Sequence, residues 1–392
     1  MTKTDKISSL LHRGVAEIIP ANKLKEQLKG SKTLRVKLGI DPTSPDIHIG
    51  RAVVLWKLRA FQELGHKAVL IVGDFTGLIG DTSDKEAERP MLSQAEAKKN
   101  AATYFKQALK ILDPKKTETH FNSKWLKKLD FLEIGKMADQ FSLHEFIARE
   151  NIKKRLDAGK RVGLREVLYP LMQGYDSIAI KADVELGGTD QRFNLLAGRT
   201  LQPVYGQAPQ AIMTTALLEG TDGRKMSSSW GNTINITDTP ENMFGKVMSL
   251  PDTLIEKYFL FATPLEEQQI KKILTQNPHP RSRKLELAKT ITGLYHGAAA
   301  ATKAQNDFIA RFSNKELPAD IPTKKIKAGQ YQLSGLMFEA GLVGSKNEAK
   351  RLIAQNGVKV GQKVVKDIII APGRSPILIQ VGKRKLLYIK IK

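Results

Sequence analysis

The sequence reads as an α/β protein: a parallel-sheet domain, then a helical domain, then a small α+β domain. Three observations lead there. Strand-like and helix-like segments alternate through the first half, the rhythm of βαβ units whose ligand site lies at the strand carboxyl ends. After about Trp230 strand signals thin out, and helical segments with polar breaks run to about Asn314. The last stretch returns to short alternating strands beside one capped helix. The boundaries expected are 1–235, 236–325 and 326–392.

Each element has its own signal. Residues 34–40 read as a strand, and a proline-rich loop follows over 41–46. Apolar residues then recur at helical spacing over 47–64, with His48 in the first turn and Gly65 ending the run. Residues 67–72 form a second strand that runs into a glycine-rich loop. Pro170 suits a helix's first turn. Residues 182–186 read as a strand, and Thr189 or Asp190 can cap the helix after it. Thr239-Pro240-Glu241-Asn242 opens the helical run, and 316–328, rich in proline and lysine, reads as a linker. Ser345-Lys346-Asn347-Glu348 has capping-box spacing, and Asn356-Gly357 stops the helix it starts. Strands are expected at 358–360, 363–365, 377–381 and 386–391.

Composition narrows the function. No run approaches 18 apolar residues, so nothing spans a membrane. The first 20 residues lack the apolar core of a secretion signal, and a cytoplasmic location is expected. There is no cysteine, which excludes disulfides, thiolate metal sites and thiol catalysis. Sixty-three Lys and Arg stand against 40 Asp and Glu, a net charge of +23 that favours a polyanionic partner such as RNA or DNA. The excess is densest over 331–392, with 12 Lys and Arg against 3 Asp and Glu.

Four segments carry chemistry. Asp41-Pro42-Thr43-Ser44-Pro45-Asp46-Ile47-His48-Ile49-Gly50 joins a strand to a helix start, where free amides and the helix dipole favour phosphate. Thr43 and His48 can donate to phosphate oxygens, and Gly50 lets a purine lie against the backbone. Asp222-Gly223-Arg224-Lys225-Met226-Ser227-Ser228-Ser229 is a basic, serine-rich loop that suits a leaving pyrophosphate, although a lone Lys-Ser run is more often a solvated loop. Gly187-Gly188-Thr189-Asp190-Gln191 follows a strand, which places Asp190 to accept from a ribose. Tyr169, Gln173 and Asp176 lie at i, i+4 and i+7, one helix face able to read a polar aromatic ligand or to form a polar surface stripe. The histidines show no metal-ligand spacing, and Gly73 to Gly80 lacks the Lys-Ser/Thr ending of a P-loop.

Together these segments resemble the bacterial-type tyrosyl-tRNA synthetases of class I, over essentially the whole chain. His48-Ile49-Gly50 looks like the HIGH motif and Lys225-Met226-Ser227-Ser228-Ser229 like KMSKS. The end of the chain, with Glu348-Ala349-Lys350-Arg351-Leu352-Ile353, resembles an S4 RNA-binding domain. The resemblance implies a Rossmann-like catalytic domain, a helical anticodon-recognition domain and an S4-like domain. It implies activation of L-tyrosine by ATP, with Mg2+ on the phosphates and no structural metal, then transfer to tRNA(Tyr) by a homodimer. Residues around 141–168 would form the subunit interface.

The implied residue roles are specific. Asp176 would accept from the phenol; Tyr169, Gln173 and Asp81 would hold the ammonium; Gln191 would lie near the carboxylate. Gly39, Asp41, Gly50, Gly188 and Asp190 would line the nucleotide, with Thr43 and His48 at its γ-phosphate. Lys225, Met226, Ser227 and Ser228 would hold the pyrophosphate, and Lys85 and Arg89 would close over it. Lys346, Lys350 and Arg351 would meet RNA phosphate. Discrimination against phenylalanine, of about 10⁵-fold, is a magnitude known for such enzymes and carried over as it stands.

The sequence departs from the pattern in three places. Arg51 replaces the last HIGH residue, Lys37 stands where a second phenol-binding tyrosine is familiar, and Leu38 replaces a ribose-side cysteine. Two other readings stay open: a tryptophan-specific relative, and a non-catalytic RNA-binding protein on the same scaffold.

Overall fold

Periodic apolar runs become buried strands in the first half. In the computed structural model they are β1 (Val15–Ile19), β2 (Arg35–Ile40), β3 (Lys67–Val72), β4 (Thr117–Phe121), β5 (Val184–Gly188) and β6 (Ala211–Thr215). Their spatial order is β1-β6-β5-β2-β3-β4, with only β1 antiparallel to its neighbour. Ala68 to Val72 are all at most 1 % exposed, as a strand covered on both faces requires. The helix Ile49–Glu63 makes the β2–β3 crossover and buries Leu55, Leu58 and Phe61 completely. The chain moves outward from β2 to β4 and then returns to β5 on the other side of β2, so the order reverses between β2 and β5.

The structure describes residues 2–81, 93–312, 321–361, 363–371, 376–382 and 385–391, in two compact units, 1–305 and 306–392. The helical run after Trp230 lies in the first unit, beginning with Pro240–Met248, Ile255–Ala262, Glu267–Gln276 and Pro280–His296. Thr239 caps the first of these, its hydroxyl accepting from the Asn242 amide at 3.3 Å. No helix among the described residues is long and apolar enough to cross a membrane.

The second unit contains β7 (Thr323–Ile326), β8 (Tyr331–Gln332), β9 (Val358–Val360), β10 (Lys363–Val364), β11 (Ile369–Ile370), β12 (Ile377–Val381) and β13 (Lys385–Ile391). Five of them form a sheet in the order β10-β9-β12-β13-β7, and β8 pairs with β11. Helices Leu333–Glu339 and Lys346–Ala354 contribute Leu336, Met337 and Ile353 to a core shared with Ile379 and Ile389.

Several local expectations change. Pro170 lies inside the helix Leu164–Ile180, not in its first turn. That helix starts earlier because the Glu166 carboxylate accepts from the Gly163 amide at 2.9 Å and pairs with buried Arg155. The glycine-rich loop after β3 contains a short helix, Thr76–Ile79. Thr189 and Asp190 form a 3-10 turn rather than a cap. Part of the expected linker is β7, which pairs in parallel with β13. The capping box at Ser345 is half formed: Ser345 accepts from Glu348, whose carboxylate turns to the Gly344 amide instead.

Candidate active site

A cleft of about 760 Å³ opens at the carboxyl ends of β2, β5 and β6, at the point where strand order reverses. Ligands of open α/β sheets bind at such points. All four sequence segments line it. Gly39 and Asp41 come from the end of β2, Gly188, Asp190 and Gln191 from the end of β5, and Asp81 from the loop after Thr76–Ile79. Lys85 and Arg89 lie outside the described residues.

One end of the cleft suits a phenol-bearing amino acid. Tyr169, Gln173 and Asp176 share one face of the helix Leu164–Ile180, as their spacing predicts. Asp176 accepts from the Trp125 indole at 2.7 Å and from Asn122 at 3.2 Å. Burial pushes its carboxyl up to about 7, against the opposing pull of the Lys37 charge. Tyr169 donates its hydroxyl proton to Asp41 at 2.9 Å, which leaves the phenol oxygen as an acceptor. Asp41 also accepts from Thr76 at 2.7 Å, and burial raises its carboxyl to about 6. Expected at the nucleotide, Asp41 thus has both oxygens engaged by Tyr169 and Thr76. Gln191 donates to Asp81 at 2.7 Å and accepts from Asn194 at 3.0 Å, so its amide is oriented from both sides. Lys37 does not line the cleft; it is fully buried beneath it, 2.8 Å from Glu185.

The other end suits phosphate. His48 is the cap of Ile49–Glu63, one residue outside the first turn, and its Nδ1 accepts from the Arg51 amide at 3.3 Å. That acceptance puts the proton on Nε2. Burial, with the nearby Arg51 and Lys225 charges, pushes the imidazole down to about 3, so it is neutral near pH 7. Arg51 donates to Thr43 Oγ1 at 2.9 Å and to Tyr104 at 2.8 Å. The guanidinium therefore stands beside a residue expected at the γ-phosphate. The Gly50 amide points at Met226 Sδ, 3.3 Å away, and Ser228 donates to Ser44 at 3.2 Å. Lys225 lies 3.0 Å from Asp190. A Cβ at Gly188 would stand 2.4 Å from Asp190 Oδ1 and 2.8 Å from Leu217 Cδ2, so any side chain there would displace both.

Sequence reading missed Trp125, Asn122, Thr76 and Asn194. Asn122 follows β4 at its carboxyl end, the one positional signal that could have found it. In the second unit Lys346, Lys350 and Arg351 are all exposed on Lys346–Ala354.

Comparisons with known proteins place the chain in a family. Residues 29–313 match the family model described as tRNA synthetases class I (W and Y), and residues 335–368 match the S4 domain. The chain is 49% identical to a tyrosine–tRNA ligase of Carboxydothermus hydrogenoformans, over 97% of this chain and 96% of that protein. It is 45% identical to that of Thermotoga maritima, over 98% and 97%. Among solved structures, the fold resembles the tyrosyl-tRNA synthetase of Archaeoglobus fulgidus complexed with L-tyrosine, with a TM-score of 0.62, 23% identity, and coverage of 78% of this chain and 100% of that one. A truncated mitochondrial tyrosyl-tRNA synthetase of Aspergillus nidulans gives 0.65 at 21% identity, over 78% and 94%.

Proposed function

The chain belongs to the class I tRNA synthetases, among the tyrosine–tRNA ligases, and from that premise we propose how its cleft performs the reaction. The activity is activation of L-tyrosine with ATP, followed by transfer of tyrosine to tRNA. The tyrosine carboxylate attacks the α-phosphorus, the bond to the β-phosphate oxygen breaks, and pyrophosphate leaves. The nucleophile is already ionised, so no general base is needed, and the site works by positioning and charge stabilisation.

Asp176 accepts the phenol proton. Tyr169, Gln173 and Asp81 hold the ammonium, with Asp41 orienting Tyr169, and Gln191 donates to the carboxylate. Asp190 accepts from the ribose, and Gly39, Gly50 and Gly188 allow close backbone approach. His48 donates from Nε2, beside Thr43, to the γ-phosphate, and Lys225, Ser227 and Ser228 receive the departing pyrophosphate while Met226 anchors their loop. Magnesium would arrive on the phosphates of ATP, as is usual for this ion. Hydroxyls and cations at that end of the cleft suit phosphate oxygens.

Tyrosine rather than tryptophan is favoured by one observation: Trp125 and Asn122 already supply two donors to Asp176, which leaves a buried acceptor facing the cleft. Phenylalanine would leave that acceptor unpaired, and a bulkier indole brings only one donor, at a different place on its ring. ATP–pyrophosphate exchange with the three amino acids tests this. Stimulation by tyrosine alone is expected; stimulation by tryptophan and not tyrosine overturns it.

We assign 1–235 to activation, 236–325 to anticodon recognition and 326–392, with Lys346, Lys350 and Arg351, to RNA contact. The substrates ATP and tRNA(Tyr) imply a cytoplasmic site of action. Phe131, Leu132, Leu143 and Leu164 are 92, 70, 62 and 74 % exposed on neighbouring helical segments. Of these, Leu143 and Leu164 lie in the expected 141–168 stretch, and exposed large apolar side chains there suit a second copy of the chain in a homodimer interface.

A further inference from the structure

Below the cleft floor, Lys37 and Glu185 face each other across β2 and β5, in register and fully buried. Neither lines the cleft. Lys37 also donates to the Gln173 carbonyl at 2.7 Å and to Ser177 Oγ at 2.8 Å. Glu185 accepts from Gln173 Nε2 at 3.1 Å, Ser177 Oγ at 2.9 Å and Gln210 Nε2 at 2.5 Å. A buried ion pair is weak support for stability, because desolvation of both charges opposes their attraction and an apolar pair of similar volume often does as well. Its retention under a binding site calls for another reason.

Hydrogen-bond polarity supplies that reason. An ionised carboxylate can only accept. Gln173 must therefore present its amide nitrogen to Glu185, which sends its amide oxygen the other way. Gln173 lines the cleft, so the oxygen is the end offered there. Lys37 balances the Glu185 charge and grips the main chain of the same glutamine.

We propose that Lys37 and Glu185 are positioning residues for the substrate's ammonium group, locking Gln173 with its carbonyl oxygen toward the cleft. The proposal rests on the tyrosine reading above and adds how one of its contacts is oriented. A neutral partner at 185 could accept or donate, and Gln173 could then turn its N–H groups toward a cation.

The test compares ligands with and without the ammonium, using the full-length protein. Glu185→Gln is expected to raise the KM for tyrosine in pyrophosphate exchange about tenfold or more. The inhibition constant of 3-(4-hydroxyphenyl)propionate, which keeps the phenol and carboxylate but lacks the ammonium, should stay within about twofold, as should the KM for ATP. Lys37→Met combined with Glu185→Gln removes both charges, should lose the same selectivity, and replaces the single variant if that one does not fold. A neutron crystal structure of the wild-type protein with tyrosine, which tells amide oxygen from nitrogen, needs no variant: Gln173 Oε1 should meet the ammonium while Nε2 stays on Glu185. Equal losses for both ligands, no loss for tyrosine, or an amide nitrogen facing the ammonium overturns the proposal. Wild-type protein without tyrosine-dependent exchange would instead overturn the tyrosine reading itself.

Discussion

The ammonium of Lys225 lies 3.0 Å from the carboxylate of Asp190, a residue 35 positions away that closes the end of β5. The pair joins the serine-rich loop to the end of β5, the side proposed for the ribose. Pyrophosphate and ribose would then draw the two partners to different groups of one substrate. Lys225→Ala is expected to lower the turnover of pyrophosphate exchange by about 10²-fold or more, with little change in the KM for tyrosine. Steady-state kinetics with each substrate varied in turn separates the two effects.

Asp176 couples selectivity to pH. Its folded-state pKa of about 7 lies above the ordinary 3.8 because of burial. Between those values the folded chain keeps a proton that the unfolded chain has released, so this site's contribution to stability falls as pH rises through the window. Asp176→Asn removes the titration. The variant's stability relative to wild type should therefore grow between about pH 4 and 8, by up to about 4 kcal/mol. Thermal unfolding against pH measures it. The same variant should lose at least about 10²-fold of the preference for tyrosine over phenylalanine.

In the proposed reaction His48 is a neutral donor. With its imidazole near 3 in the folded chain against an ordinary 6.5, protonation opposes folding, and stability is lost as pH falls below the ordinary value. Exchange activity should show no inflection from this group between about pH 5.5 and 8. His48→Asn keeps a cap for the Arg51 amide but has no donor at the Nε2 position, and should lower turnover about 10²-fold. His48→Gln restores a donor there and should recover part of the rate.

Replacing Lys346, Lys350 and Arg351 together by Glu should reduce tRNA charging while leaving tyrosine-dependent exchange unchanged. Each phosphate contact removed lowers the salt slope of tRNA binding by about 1. Binding measured against salt concentration checks the count.

Leu143→Asp with Leu164→Asp places charges on the exposed apolar region. Sedimentation should report a dimer for wild type and a monomer for the variant. An unchanged dimer would move the interface elsewhere.

Much of the fold was legible because its signals are local. The β3 strand coincides with its apolar run at 67–72, and the i, i+4, i+7 face of Tyr169, Gln173 and Asp176 does line the cleft. The misses depend on long-range partners. Pro170 sits in mid-helix because Glu166, held by Arg155, lets the helix begin earlier. The partners of Asp41 were hidden for the same reason: Tyr169 and Thr76, distant in sequence, both donate to it. Lys37 looked like a substituted ligand residue; only the pairing of β2 with β5 reveals Glu185 as its partner.

The contact between Gly50 and Met226 bears on how firmly the start of the helix Ile49–Glu63 is held. A thioether is a feeble acceptor, so the amide at the head of Ile49–Glu63 is sheltered by an atom with little hold on it. On the proposed reading a nucleotide phosphate would meet only that soft neighbour, whereas a carboxylate or carbonyl at the same place would compete for the amide.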